Sequence, residues 1–262
     1  LTGLLSGTGS LTKLGAGALT LSGANTFSGG ATVNAGRVYV ANSSAFGTGV
    51  LTFGGGVVSS DSASARSVVN TLSIGGNITL GDAVKNGVLN FTGDGTLTAP
   101  TTLTLDSDVI FSGKLSGLGV ASLTKAGSGV LTLAGSNTLS GGVTLSAGSV
   151  QVGNNAAFGT GVLSIAGGTV LSDGTTARTM SNGLSMGGSV NLGDATKNGV
   201  LTFSGDGTLT GPTTFNVLSD VNFSGKLSGA SAISKTGSGN LTLSGANDFS
   251  GGVSISSGWI LV

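Results

Sequence analysis

Short alternations of apolar and small polar residues recur along the whole chain. Leu19-Thr20-Leu21, Val38-Tyr39-Val40, Leu51-Thr52-Phe53, Ile78-Thr79-Leu80, Leu89-Asn90-Phe91 and Leu103-Thr104-Leu105 each put alternate residues on one side, as a half-buried strand requires. Groups of Gly, Asn, Asp and Ser separate these runs every ~8 to 12 residues. No stretch carries a sustained helical period with caps, and Glu, a favoured helix former, is absent. The pattern predicts an all-β chain with no helical domain.

The alternations belong to a long internal repeat. Asn86 to Ala99 reads NGVLNFTGDGTLTA and Asn198 to Gly211 reads NGVLTFSGDGTLTG, three differences at an offset of 112. The same offset relates AFGTGVLTFGGG from Ala45 to AFGTGVLSIAGG from Ala157. A third, partial copy starts near Leu227, and the second carries two extra residues between Gly117 and Gly127, where a loop is expected to absorb them. The units are 5–114, 115–226 and the partial 227–262, within one continuous segment over 1–262.

Composition narrows the layout. Gly supplies 51 of 262 residues, aromatics are 5% and charged residues 8%. A mean hydropathy of +0.42 is too high for a flexible Gly/Ser linker. A sandwich wants longer strands and larger inward side chains, and a propeller wants a period of ~40 to 50 residues. A right-handed parallel β-helix fits: three short strands per rung, small residues where rungs crowd, and Gly at corners with φ > 0. At roughly 20 to 25 residues per rung, each unit is expected to make about five rungs and the chain roughly 11 to 12.

The best-marked segment occurs three times, at 15–40, 127–152 and 237–262: GAGALTLSGANTFSGGATVNAGRVYV, GSGVLTLAGSNTLSGGVTLSAGSVQV and GSGNLTLSGANDFSGGVSISSGWILV. Gly15, Gly17, Leu19, Leu21, Asn25, Gly29 and Gly30 are matched by Gly127, Gly129, Asn137, Gly141 and Gly142, and by Gly237, Gly239, Asn247, Gly251 and Gly252. The pattern resembles the passenger-associated transport repeat of bacterial autotransporters. That resemblance implies a β-helical passenger, extracellular or on the outer surface of a Gram-negative bacterium, with the repeat associated with export and folding.

Several chemistries are excluded or disfavoured. With no His and no Cys there is no imidazole base, thiol nucleophile, disulfide or ordinary zinc site, so Gly183-Leu184-Ser185-Met186-Gly187 is an accidental match to a nucleophile motif. Neither a metal nor a cofactor is expected. Asp94 and Asp206 in Gly-Asp-Gly-Thr turns read as turn residues that bond locally rather than as calcium ligands. Asp106, Asp108 and Asp220 read as solvated turn acids rather than the paired carboxylates of a carbohydrate-active enzyme. Thr96-Leu97-Thr98, Thr102-Leu103-Thr104 and Thr208-Leu209-Thr210 would make an ice-binding array only if repeated on successive rungs of one face. Asn25, Asn137 and Asn247 lie about five rungs apart, so each is expected to satisfy its own turn. Tyr39 and Trp259 are expected to point outward.

Ten bases against ten acids, with no basic cluster, leave no footprint for nucleic acid. No run of ~20 apolar residues predicts membrane insertion by this segment. The leading expectation is a non-enzymatic stalk or filament segment of a repetitive surface protein. Its expected partners are further repeats of the same chain or like chains, because the ends of a cut solenoid expose strand edges. An adhesive passenger that contacts a host or neighbouring-cell surface is the alternative, and a carbohydrate-active enzyme a third.

Overall fold

The computed structural model describes residues 1–117 and 119–262; Leu118, within the segment that carries the two extra residues, lies outside them. Among the described residues every regular element is a strand, most of three to five residues. They wind into a parallel β-solenoid of about 12 turns. At ~4.8 Å per rung the rod is about 55 Å long.

Three faces run the length of the rod. The first stacks Leu11–Lys13, Ala31–Val33, Leu51–Phe53, Leu72–Ile74, Gly95–Leu97, Leu115–Gly117 and Thr138–Leu139. It crosses the non-strand backbone of 159–161 and resumes with Arg178–Met180, Leu201–Phe203, Val221–Phe223, Leu241–Leu243 and Ile260–Leu261. The second face includes Ala18–Leu21, Arg37–Val40, Thr101–Leu105, Leu123–Ala126, Val143–Leu145 and Leu163–Ile165. The third includes Arg66–Val68, Leu89–Phe91, Val109–Phe111, Val130–Leu133, Ser149–Val152, Ile233–Thr236 and Val253–Ile255. Two longer strands, Leu184–Leu192 and Gly207–Val217, pass from the second face to the third through a corner.

This stacking corrects the expected five rungs per unit. The opening strand of the repeated motif lies on the first face at Leu11–Lys13, on the second at Leu123–Ala126 and on the third at Ile233–Thr236. A unit therefore runs five rungs and a third, near 21 residues per rung, and each copy is turned one face from the last.

Inward positions fill a narrow apolar interior. Phe91 stacks on Phe111 with ring centroids 5.0 Å apart and meets Phe53 edge-on at 5.8 Å. Phe203 and Phe223, their counterparts one unit on, repeat the 5.0 Å stack on a different face.

Glycine also does more than the sequence reading assigned to it. Positive φ explains Gly30 (φ 87°) and Gly142 (φ 86°), but Gly93 and Gly113 have ordinary backbone angles. There a methyl group would strike the carbonyl oxygen of the rung beneath, Asn70 under Gly93 and Gly93 under Gly113. Close approach of stacked corners, as much as turning, selects these glycines.

Candidate functional site

Polar side chains at the corners form bonds along the rod axis. Asn25 is buried; its Oδ1 accepts from the Leu5 amide at 2.9 Å and its Nδ2 donates to the Ala45 carbonyl at 2.7 Å. Asn137 repeats this with Leu115 at 2.7 Å and Ala157 at 2.6 Å. Asn247 accepts from Leu227 at 2.8 Å, while its Nδ2 bonds Leu243 at 3.4 Å. The expectation that each Asn satisfies its own turn is thus corrected for Asn25 and Asn137, which join the rungs below and above. Asp94 and Asp206 are corrected likewise: each accepts from an amide of the next rung, Lys114 and Lys226, at 2.9 Å. A corner residue sits ~4.8 Å from the next rung, within reach of a short polar side chain.

Asp108 and Asp220 are exposed and accept from Val130 and Asn240 amides of the following rung, and Asp106 is exposed as well. Ser185 lies in a strand between Ser164 and Thr208.

The first face does carry outward hydroxyls in register on seven successive strands: Thr12, Thr32, Thr52, Ser73, Thr96, Ser116 and Thr138. No second column lines up beside it: the next outward positions include Leu14, Asn34, Gly54 and Gly75, and Ser140 spends its hydroxyl on the Gly117 carbonyl. Thr98 spends its hydroxyl on the Ile74 carbonyl. Tyr39 points outward between buried Val38 and Val40, with the Lys85 ammonium 3.7 Å above its ring, and Trp259 is exposed.

The sequence reading missed three lysines. Lys13, Lys125 and Lys235 occupy inward strand positions and are 8%, 0% and 0% exposed. Lys125 Nζ donates to Ala126, Gly127 and Ala147 carbonyls at 2.9, 2.9 and 3.0 Å. Lys13 binds Leu14, Gly15 and Ala35, and Lys235 binds Thr236, Gly237 and Ser257, in the same arrangement. Burial pushes Lys125 down to about 8, opposed by the charge of Asp108, and burial lowers Lys235 also. A signal was present: Leu11-Thr12-Lys13, Leu123-Thr124-Lys125 and Ile233-Ser234-Lys235 recur two residues before each Gly-x-Gly, with Lys on the apolar side of the alternation. Asn70 and Asn182, buried and donating to carbonyls of the preceding rung, were also missed.

Two pairs of stacked corner loops connect the faces. In the first unit they span 60–66 and 81–88, stacked one above the other, with Gly87 against Ser62 and Ser64. In the second they span 172–178 and 193–200, with Gly199 against Ser172 and Thr176. The first pair projects where the second face meets the third, the second pair where the third meets the first. Some of their charges are paired. Arg66 bonds Asp61 and Arg178 bonds Asp173, each at 2.8 Å, and Asp82 takes Arg37 at 2.7 Å. Arg66 holds the Asp61 carboxyl below its ordinary range.

The Thr196 hydroxyl, followed by the Lys197 and Thr196 amides, draws the Asp194 carboxyl down to about 2. Its folded value lies below its unfolded one, so the contribution is present above the ordinary value near 3.8 and lost as pH falls through about 2. The Asp194 carboxyl carbon, followed by NMR, should titrate near 2, with the loop amides of Thr196 and Lys197 protected until then. A midpoint near 4 would contradict this loop geometry.

The family model of the passenger-associated-transport-repeat matches residues 11–40, 123–152 and 233–262. Each match begins at a strand whose third residue is a buried lysine. The adhesin BmaC autotransporter of Brucella suis biovar 1 (strain 1330) is 43% identical over 109 residues, 40% of this chain. The chain carries three passenger-associated transport repeats and, over part of its length, resembles the passenger of an autotransporter adhesin. The match spans 3% of that relative's length. No solved structure matches the chain. Each match thus includes the buried lysine near its start and encloses the axial asparagine and the paired corner glycines.

Proposed function

We propose that this chain is a non-enzymatic rod within a large bacterial surface adhesin, holding paired corner loops outward on successive edges. The single observation that carries it is the three-faced stack in which each repeat is turned by one face. The named relative is an adhesin, and a passenger of that kind works in a secreted or outer-surface location. A buried, continuous core with short loops suits a spacer that transmits force, since each rung is held by its neighbours. Contact with a host or neighbouring-cell surface then falls to the exposed loops, whose sequences differ between units: Asp61-Ser62-Ala63-Ser64-Ala65-Arg66 against Asp173-Gly174-Thr175-Thr176-Ala177-Arg178.

The test is display of this chain on the surface of a non-aggregating bacterial strain, with and without both loop pairs shortened to Gly-Ser turns. Faster settling or matrix binding that disappears with the loops is expected; unchanged settling and no binding in the intact chain would remove the adhesive reading. A second reading, association of rods end to end or side by side, is favoured by the zero formal net charge, which removes long-range repulsion. In that case sedimentation of the purified chain depends on concentration, whereas a spacer sediments as a monomer throughout.

A further inference from the structure

We propose that each repeat contains an internal ammonium site, a cage of three backbone carbonyls occupied by the repeat's own lysine, and that its occupancy locks the following rung onto the repeat. This goes beyond the adhesive reading and does not depend on it.

Three independent copies carry the geometry. In each, two carbonyls come from the corner just after the lysine and the third from 22 residues on, in the next rung: Ala35, Ala147 and Ser257. All nine contacts fall between 2.6 and 3.1 Å. An ammonium has three donors and no acceptor, which matches three converging carbonyls. A neutral side chain of the same length would leave these oxygens buried without donors, an arrangement folded proteins avoid.

Filling space does not explain the lysine. The same inward position is Leu103 in the rung before Lys125 and Leu145 in the rung after, and Phe215 in the rung before Lys235. An apolar side chain therefore fits the interior wherever carbonyls do not converge. The next rung is shaped to accept the charge as well. Gly36, Gly148 and Gly258 stand over the three ammonium groups with φ of 69°, 71° and 70°. A methyl group on any of them would collide with Nζ or with the carbonyls around it.

The cage is incomplete until the following rung docks, because one of its three walls belongs to that rung. The lock is thus made only when two rungs are joined.

The experiment is hydrogen exchange on the 262-residue chain, comparing Lys125→Ala and Lys125→Met with the unaltered protein. Losing the charged axial bonds should speed exchange of the Ser146 amide, which bonds the Lys125 carbonyl, and its neighbours by roughly 10- to 100-fold. The equivalent amides beside Lys13 and Lys235 remain as internal controls. In Lys125→Ala the missing atoms correspond to n-propylammonium, which should restore protection in the millimolar range, whereas n-propanol should not. Protection kept in Lys125→Met, or equal rescue by n-propanol, would show that packing alone is responsible and overturn the proposal. Should neither variant fold, NMR of the unaltered chain decides: the three Nζ protons must exchange far more slowly than those of exposed Lys114, and equally fast exchange would overturn it.

Discussion

Phe91→Ala is expected to cost about 3–5 kcal/mol, measured as the free energy of opening the rungs that contain it. Phe91 is fully buried, stacks on Phe111 at 5.0 Å with an 18° interplanar angle, and receives the edge of Phe53 at 5.8 Å. Deleting the ring removes the middle member of this three-ring contact. The interior cannot collapse into the gap, because continuous parallel ladders above and below hold the rungs at their spacing. Phe91→Leu keeps most of the volume and should lose less than about 1.5 kcal/mol. The damage should be local, since a solenoid's stability is a sum over neighbouring rungs. Hydrogen exchange should quicken near Phe53 to Phe111 while the Phe203–Phe223 stack keeps its protection. A loss below about 1 kcal/mol would mean that the rungs can move together after all.

The second large effect is Asn137→Ala, expected to cost about 2–6 kcal/mol. The amide satisfies two backbone groups on two other rungs, Leu115 N–H and Ala157 C=O, and the substitution leaves both buried without a partner, at about 1–3 kcal/mol each. Asn137→Asp separates the two halves of the effect. A carboxylate can still accept from Leu115, but its second oxygen faces the Ala157 carbonyl with nothing to donate, so aspartate should be no better than alanine at neutral pH. Asn247→Ala supplies the comparison. That side chain is half-buried and its second bond, to Leu243, is long at 3.4 Å, so the loss should be clearly smaller. Chemical denaturation followed by exchange at Leu115 and Leu227 checks both, and equal losses at the two sites would contradict the axial account.

Both predictions turn on the same distinction between what a residue is and whom it meets. The alternation marks Phe91 as a core residue without any coordinates, and Gly-rich corners mark Asn137 as a turn residue. Its two partners, at 22 and 20 residues' distance, have no local signature. The same holds for Asp94 and Asp108, which were legible as turn acids and proved to bond the next rung. Lys125 was the hardest case. Its place on the apolar side of a strand was visible in three aligned copies, yet a charge there makes sense only when the carbonyl of Ala147 is brought over it.

Strand content, parallel stacking and the repeat were thus readable from the linear chain, because a period of two, recurrent Gly and near-identical segments are local properties of the sequence. The phase of the repeat was not. Whether 112 residues make five rungs or five and a third depends on how many residues each corner consumes, and corners here range from tight turns to the paired loops at 60–66 and 81–88. A third of a rung moves the motif from one face to the next, so lysine cages and loop pairs travel around the rod instead of lining one side. That placement, like the axial bonds, follows from contacts between rungs about 20 residues apart. It was settled only once the chain had closed on itself.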